Sequence, residues 1–158
     1  MEFLSYFLKA FIKAESQKRQ AEATKLDAIN EIKEKLKAVV DAGDDRSESM
    51  YLIELGNVYT YYSEFDLSDT MYRQGLAIAR AVGDQHLEIV ALANLGLSYK
   101  TRLDYSQAYN YYQKALIIAR KTDDRNFQTE ILKLMDELEK MIGLDQSSGN
   151  GNDSTARS

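Results

Sequence analysis

Few side chains in this sequence have the type and spacing that catalysis or metal binding requires. His86 is the one histidine and there is no cysteine, so a zinc site lacks its ligands. A Ser-His-Asp triad would have to use His86, and the sequence has no Gly-x-Ser-x-Gly motif. The acidic pairs Asp44-Asp45 and Asp123-Asp124 lack the alternating oxygen ligands of a calcium loop. They are explained as favourable charges at helix starts, and His86 as a surface residue. The sequence predicts a protein that is not an enzyme and that uses no cofactor or metal.

The charge of the chain is unevenly distributed. The formal net charge is −5, with +2 in residues 1–40 and −7 in residues 41–158. An acidic body argues against nucleic acid, which needs a basic face. No apolar run approaches the length of a membrane span, and the first twelve residues lack the features of a secretory signal. With the absence of cysteine, this predicts a cytoplasmic or equivalent reducing location, with peripheral membrane contact as an alternative.

The elements that must position any functional surface come from an internal repeat. Residues 51–90 align with residues 91–130 without a gap. The ten identical positions are Leu52/Leu92, Leu55/Leu95, Gly56/Gly96, Tyr59/Tyr99, Tyr72/Tyr112, Leu76/Leu116, Ile78/Ile118, Ala79/Ala119, Arg80/Arg120 and Asp84/Asp124. A fixed period of forty residues is typical of stacked supersecondary units, which more often form extended binding surfaces than catalytic pockets.

Apolar residues spaced three and four apart predict an all-α protein. The expected helices cover 47–62, 67–82, 86–101, 106–121 and 126–143, the last as a C-terminal cap. We therefore predict three segments. Residues 1–46 form an N-terminal helical segment with a degenerate repeat, 47–143 hold two repeats and the capping helix, and the polar residues 144–158 form a disordered tail.

The N-terminal segment allows two interpretations. Residues 24–41 stand where the second helix of an earlier repeat would stand, with 2–17 as its partner. No Gly or Pro separates them, so 2–41 could instead be one helix, but the apolar spacing lapses near 18–23 and favours a break there. Residues 2–17 have a wide apolar face, formed by Phe3, Leu4, Phe7, Leu8, Phe11 and Ile12. The simplest expectation is that it packs on 24–41. The alternatives are a homodimer contact or a membrane-surface contact through Phe3, Phe7 and Phe11.

The repeat resembles the tetratricopeptide repeat. The pattern Leu-x2-Leu-Gly-x2-Tyr begins at Leu52 and at Leu92, and a small residue followed four positions later by tyrosine occurs at Ser68 and at Ala108. Leucine replaces the usual tryptophan, arginine replaces the closing proline, and the period is forty rather than thirty-four. Longer repeats of this kind resemble those of kinesin light chains and spindle-orientation adaptors. The resemblance implies a short right-handed superhelix of antiparallel helix pairs.

The resemblance also implies where a partner would bind, because the first helix of each unit lines the concave face in this family. The corresponding residues here are Ile53, Asn57, Thr60, Tyr61, Asn94, Leu97, Lys100 and Thr101. Ile53 occupies a lysine position of the family's carboxylate clamp, so no such clamp is expected. The predicted function is a non-enzymatic adaptor or assembly factor that binds a protein or peptide segment in the concave groove. The alternatives are a membrane-peripheral assembly factor and a self-associating structural module.

Overall fold

The computed structural model describes the backbone of residues 2–149 and the side chains of residues 12–143. Within this part of the chain all regular structure is helical. The helices are α1 (Glu2–Ala42), α2 (Asp45–Tyr61), α3 (Phe65–Val82), α4 (Gln85–Thr101), α5 (Tyr105–Lys121) and α6 (Arg125–Gly149). The first repeat is α2 with α3, and the second repeat is α4 with α5.

The helices pack in chain order. Each helix contacts the next one, and α2, α4 and α6 also contact one another in succession. The first helices of the units therefore lie side by side along one face of the stack. This is the predicted all-α superhelix of antiparallel helix pairs, with α6 as the capping helix.

Short turns separate the helices, and side-chain hydrogen bonds cap the starts of α2, α4 and α5. Asp44, Asp84 and Asp104 each accept a hydrogen bond from the backbone N–H three residues later. A carboxylate in this position satisfies a backbone donor that has no partner within the helix. At the opposite end of a helix, Gly83 adopts a left-handed conformation, with φ of 73°. Glycine reaches this conformation without steric cost, so it ends α3 cleanly.

The two repeated glycines lie where the helices of each pair cross. A Cβ built on Gly56 would come within 2.6 Å of the Tyr72 ring, and one on Gly96 within 2.5 Å of the Tyr112 ring. Real Cβ atoms do not approach other atoms this closely, so glycine is required at both positions for the tyrosine to pack. Both tyrosines are almost completely buried.

The predicted break near residues 18–23 is wrong, because α1 is one continuous helix of 41 residues. The lapse in apolar spacing does not end the helix, since this stretch contains good helix formers and no Gly or Pro. Consequently residues 2–17 do not fold back on 24–41. Residues 24–41 are instead covered by α2, where Ile29 and Ile32 form a cluster with Leu55 and Tyr59.

The ends of the chain differ in part from expectation. Helix α6 extends to Gly149, so residues 144–149, predicted to begin a disordered tail, are helical. Residues 150–158 lie outside the described part, as do the side chains of Phe3, Phe7 and Phe11. None of the helices in the described part combines the length and the apolar character needed to cross a membrane.

Candidate functional site

A groove opens on the face of the stack where α2 and α4 lie side by side. Its volume is about 520 Å³. The residues that line this α2–α4 groove are Asn57, Thr60, Tyr61, Ser63, Tyr72, Asn94, Leu97 and Thr101. None of these side chains carries a charge, so the groove can recognise a ligand by hydrogen bonds and apolar contact but not by ion pairing.

A chain of hydrogen bonds connects the first repeat to the floor of the groove. The Tyr72 hydroxyl donates to Asn57 Oδ1 over 2.7 Å and lies 3.1 Å from Thr60 Oγ1. Thr60 Oγ1 in turn lies 2.6 Å from Ser68 Oγ. Burial raises the pKa of the Tyr72 hydroxyl, which keeps it protonated as the donor to Asn57. The network fixes the orientation of the Asn57 amide.

The orientation of Asn57 determines what it can offer a partner. Because Oδ1 already accepts from Tyr72, the two N–H groups of the amide are the donors left to serve a partner. Asn94 lines the same groove from α4 and makes no side-chain hydrogen bond with the described residues. The two amides can therefore serve a peptide backbone, which requires both donors and acceptors.

An exposed aromatic ring lies at the edge of the groove. Tyr61 is 81% exposed and contacts Tyr62 edge to face, with ring centroids 5.0 Å apart. Leu97 is also exposed and lines the groove from α4. Aromatic side chains are enriched at partner interfaces, because they provide a large contact area at low cost in conformational entropy.

The corresponding positions of the second repeat have different chemistry. Leu97 stands at the position of Asn57, Lys100 at that of Thr60 and Ala108 at that of Ser68. The buried Tyr112 hydroxyl consequently has no hydrogen-bond partner among the described residues. Burial and then the negative charge of Glu137 raise the pKa of Tyr112 to about 12.

Six of the eight residues expected to contact a partner line the groove, and two do not. Ile53 is only 4% exposed and belongs to the hydrophobic core, so it is not available to a partner. Lys100 forms an ion pair with Glu137 of α6 over 3.0 Å and is not among the lining residues. The expectation omitted Ser63 and Tyr72, which also line the groove.

The other side chains considered as candidates for catalysis or binding make structural contacts. His86 is exposed and its ring lies against Phe127, with centroids 4.7 Å apart. Arg80 donates to Glu88 over 2.7 Å and so connects α3 to α4. Among the described residues, no three His, Cys, Asp or Glu side chains come together as a metal site.

A cluster of aromatic and charged side chains joins α3, α4 and α5. The rings of Tyr99 and Tyr111 are stacked with centroids 5.4 Å apart. The Tyr99 hydroxyl donates to Asp69 Oδ2 over 3.0 Å, and Arg73 donates to the Tyr111 hydroxyl over 3.0 Å. The Arg102 guanidinium lies 5.0 Å from the centre of the Tyr99 ring. These contacts hold the two repeats together.

A family model described as tetratricopeptide repeat matches residues 45–121, which is the extent of α2 to α5. No curated protein that was compared with the chain matches it.

Proposed function

We propose that this chain, whose residues 45–121 are tetratricopeptide repeats, binds an extended segment of a partner protein in the α2–α4 groove. Tetratricopeptide repeats typically mediate protein–protein interactions, and stacked helical repeats form concave binding surfaces. The role is that of an adaptor or assembly factor, which holds a partner and does not transform it.

The observation that carries the proposal is the pair of asparagines in a groove without charges. Asn57 and Asn94 lie on neighbouring first helices and line the same groove. The hydrogen bond from Tyr72 holds the Asn57 amide in one orientation, which reduces the entropy lost when a partner binds. Tyr61 and Leu97 add exposed apolar surface beside the amides.

The chemistry of the lining residues defines the class of partner. An uncharged groove would leave a buried carboxylate or ammonium group without a counter-ion, which is costly. The partner segment is therefore an uncharged stretch of extended chain with at least one apolar side chain. Because no ion pairs form in the groove, salt should affect its binding only slightly.

The test uses the full chain as bait in a quantitative pull-down with mass spectrometry. Asn57→Ala combined with Asn94→Ala should reduce recovery of a specific partner, and a direct titration should show binding at least about tenfold weaker. Each lost hydrogen bond contributes about 1 kcal/mol, and 1.4 kcal/mol corresponds to a factor of ten. The matched control is Asn110→Ala combined with Asn126→Ala, which removes two exposed amides from α5 and α6 outside the groove.

Two results would contradict the proposal. One is equal recovery of the partner by the groove variant and the control variant, with unchanged helicity in both. The other is binding that disappears as salt is raised, because that would require charged contacts away from this groove.

A further inference from the structure

A second groove lies at the C-terminal end of the stack, between α5 and α6. Its volume is about 580 Å³. The residues that line this α5–α6 groove are Tyr109, Gln113, Leu116, Ile117, Arg120, Leu132, Met135, Asp136 and Glu139. Two large apolar side chains in it are exposed, Ile117 by 64% and Leu132 by 47%. Exposed apolar side chains grouped in a groove are typical of a surface that another element covers.

The repeat shows what kind of element covers such a surface. Forty residues before Leu132 and Met135, α4 carries Leu92 and Leu95, which are 1% and 0% exposed. They belong to the core cluster that α4 shares with α5, and Gly96 beside them lies against Tyr112 of α5. The α5–α6 groove is therefore the position where the next second helix of the stack would pack. The expected occupant is an amphipathic helix of about the length of α5.

The N-terminal part of α1 is a candidate, because the repeats of the same chain leave all but one of the described side chains of residues 12–24 exposed. Near the end of α2, the ammonium group of Lys25 in α1 contacts Glu64. The 23 residues of α1 that precede Lys25 extend beyond this contact. At about 1.5 Å per residue, that extension is about 35 Å long. Of residues 12–24, all are exposed except Glu15, which is half-buried.

The sequence of this extension is that of a packing helix. Residues 2–17, here named the N-terminal arm, have apolar residues at the helical spacing described above, and their length is close to the 17 residues of α5. The nine residues after Gly149 contain one apolar residue, Ala156, and offer no comparable face.

We propose that the N-terminal arm of one copy of this chain packs in the α5–α6 groove of a second copy, in the place of a second helix of the repeat. The contact joins two different surfaces, so it is heterologous. Two copies that exchange arms form a closed dimer, and copies that do not close on each other form a chain of stacked superhelices.

The test measures the self-association of the full chain by sedimentation velocity at increasing protein concentration. The parent chain should associate, whereas Phe7→Asp in the arm and Leu132→Asp in the groove should each weaken association by at least about tenfold. A matched control is Leu67→Asp on α3, because Leu67 is 46% exposed but lies outside both surfaces. The control should associate like the parent.

A mixing experiment separates this contact from an arm-to-arm dimer. The Phe7→Asp chain retains an intact groove, and the Leu132→Asp chain retains an intact arm. A mixture of the two should therefore form a complex of one copy of each, at protein concentrations where neither variant associates alone. The proposal is overturned if the parent stays monomeric, if Leu132→Asp associates like the parent, or if the mixture forms no complex. Binding of the arm to anionic lipid vesicles by a monomeric parent would overturn it as well.

Discussion

The two repeats have the same arrangement of helices, but the hydroxyl of the central tyrosine has hydrogen-bond partners in only one of them. In the first repeat, Tyr72 donates to Asn57 and lies within hydrogen-bond distance of Thr60. In the second repeat, Tyr112 is equally buried, and its hydroxyl has no partner among the described residues. The ring position is the same in both repeats, because each ring packs against a glycine of the preceding helix.

This difference separates two kinds of constraint on the sequence. Positions where helices cross, such as Gly56 and Gly96, are identical in both copies because a side chain would prevent the crossing. Positions around the tyrosine hydroxyl differ, with Asn57 replaced by Leu97 and Thr60 by Lys100. In the second repeat, Lys100 instead forms an ion pair with Glu137 of α6. The hydrogen-bonded polar network is thus confined to the first repeat.

The largest expected change in stability comes from the glycine at the helix crossing, a feature that both repeats share. Gly96→Leu should lower the free energy of unfolding by about 3 kcal/mol or more, because the side chain would displace the buried Tyr112 ring. A Cβ at Gly96 would also lie 3.2 Å from the Ala108 carbonyl oxygen, whereas the atoms nearest to a Cβ at Gly56 all belong to Tyr72. Gly56→Leu should therefore cost less than Gly96→Leu. Urea denaturation of the full chain measures both.

The control for this prediction is Gly143→Leu, since a Cβ at Gly143 would have no neighbour within 4 Å. Its stability should stay equal to that of the parent or rise, because leucine favours a helix more than glycine does. If Gly96→Leu were as stable as this control, the crossing would not depend on glycine.

The second prediction concerns pH and the unpartnered hydroxyl. The pKa of Tyr112 is raised from 10.0 to about 12 by burial and by Glu137, so the folded chain keeps a proton that the unfolded chain releases above pH 10. Below pH 10 the hydroxyl is protonated in both the folded and the unfolded chain, so Tyr112 adds no pH dependence to stability there. As the pH rises from 10 towards 12, the free energy of unfolding should fall by about 1.4 kcal/mol per pH unit because of Tyr112.

Urea denaturation across this pH range, in parent and Tyr112→Phe chains, measures the effect. The parent should lose stability more steeply than Tyr112→Phe, because phenylalanine has no proton to release. Tyr61→Phe, which changes an exposed ring, is the matched control and should follow the parent. Parallel curves for the parent and Tyr112→Phe would show that the hydroxyl is not buried in the folded chain.

Much of the fold could be predicted from the sequence, because it depends on local signals. The apolar spacing placed α2 to α5 within about two residues of their observed ends, and the repeated glycine and tyrosine identified the helix crossings. The helix positions follow from helix periodicity, which a single sequence displays directly. Six residues that line the α2–α4 groove were named from the resemblance to tetratricopeptide repeats, in which the first helix of each unit lines the concave face.

The errors concern tertiary packing that periodicity does not encode. Ile53 has the spacing of a groove residue, but α3 approaches closely at Gly75, where a Cβ would lie 3.0 Å from Ile53 Cγ1. The approach of α3 buries Ile53. The predicted break in α1 has a similar origin, because the lapse in apolar spacing near 18–23 shows only where no helix packs. It does not show where a helix ends.

The smallest effect tests the contrast between the two tyrosines directly. At neutral pH, Tyr72→Phe should cost about 1 kcal/mol of stability, since it removes the partner of Asn57 and Thr60. Tyr112→Phe should instead raise stability by about 1 kcal/mol, because it removes a buried hydroxyl that has no partner. Urea denaturation of the two variants beside the parent gives both values, and their opposite sign is the result that matters.

The difference between the two tyrosine hydroxyls can also be tested by introducing the counterpart of Asn57 into the second repeat. Leu97→Asn places an amide at the position that Asn57 occupies relative to Tyr72, so the Tyr112 hydroxyl would gain an acceptor. The change in stability caused by Leu97→Asn should therefore be more favourable in the parent chain than in a chain that already carries Tyr112→Phe. The difference between the two effects isolates the new hydrogen bond, at about 1 kcal/mol. If Leu97→Asn had the same effect in both backgrounds, the repeats would differ in more than the side chains around the hydroxyl, and the first repeat's network could not be transferred by one residue.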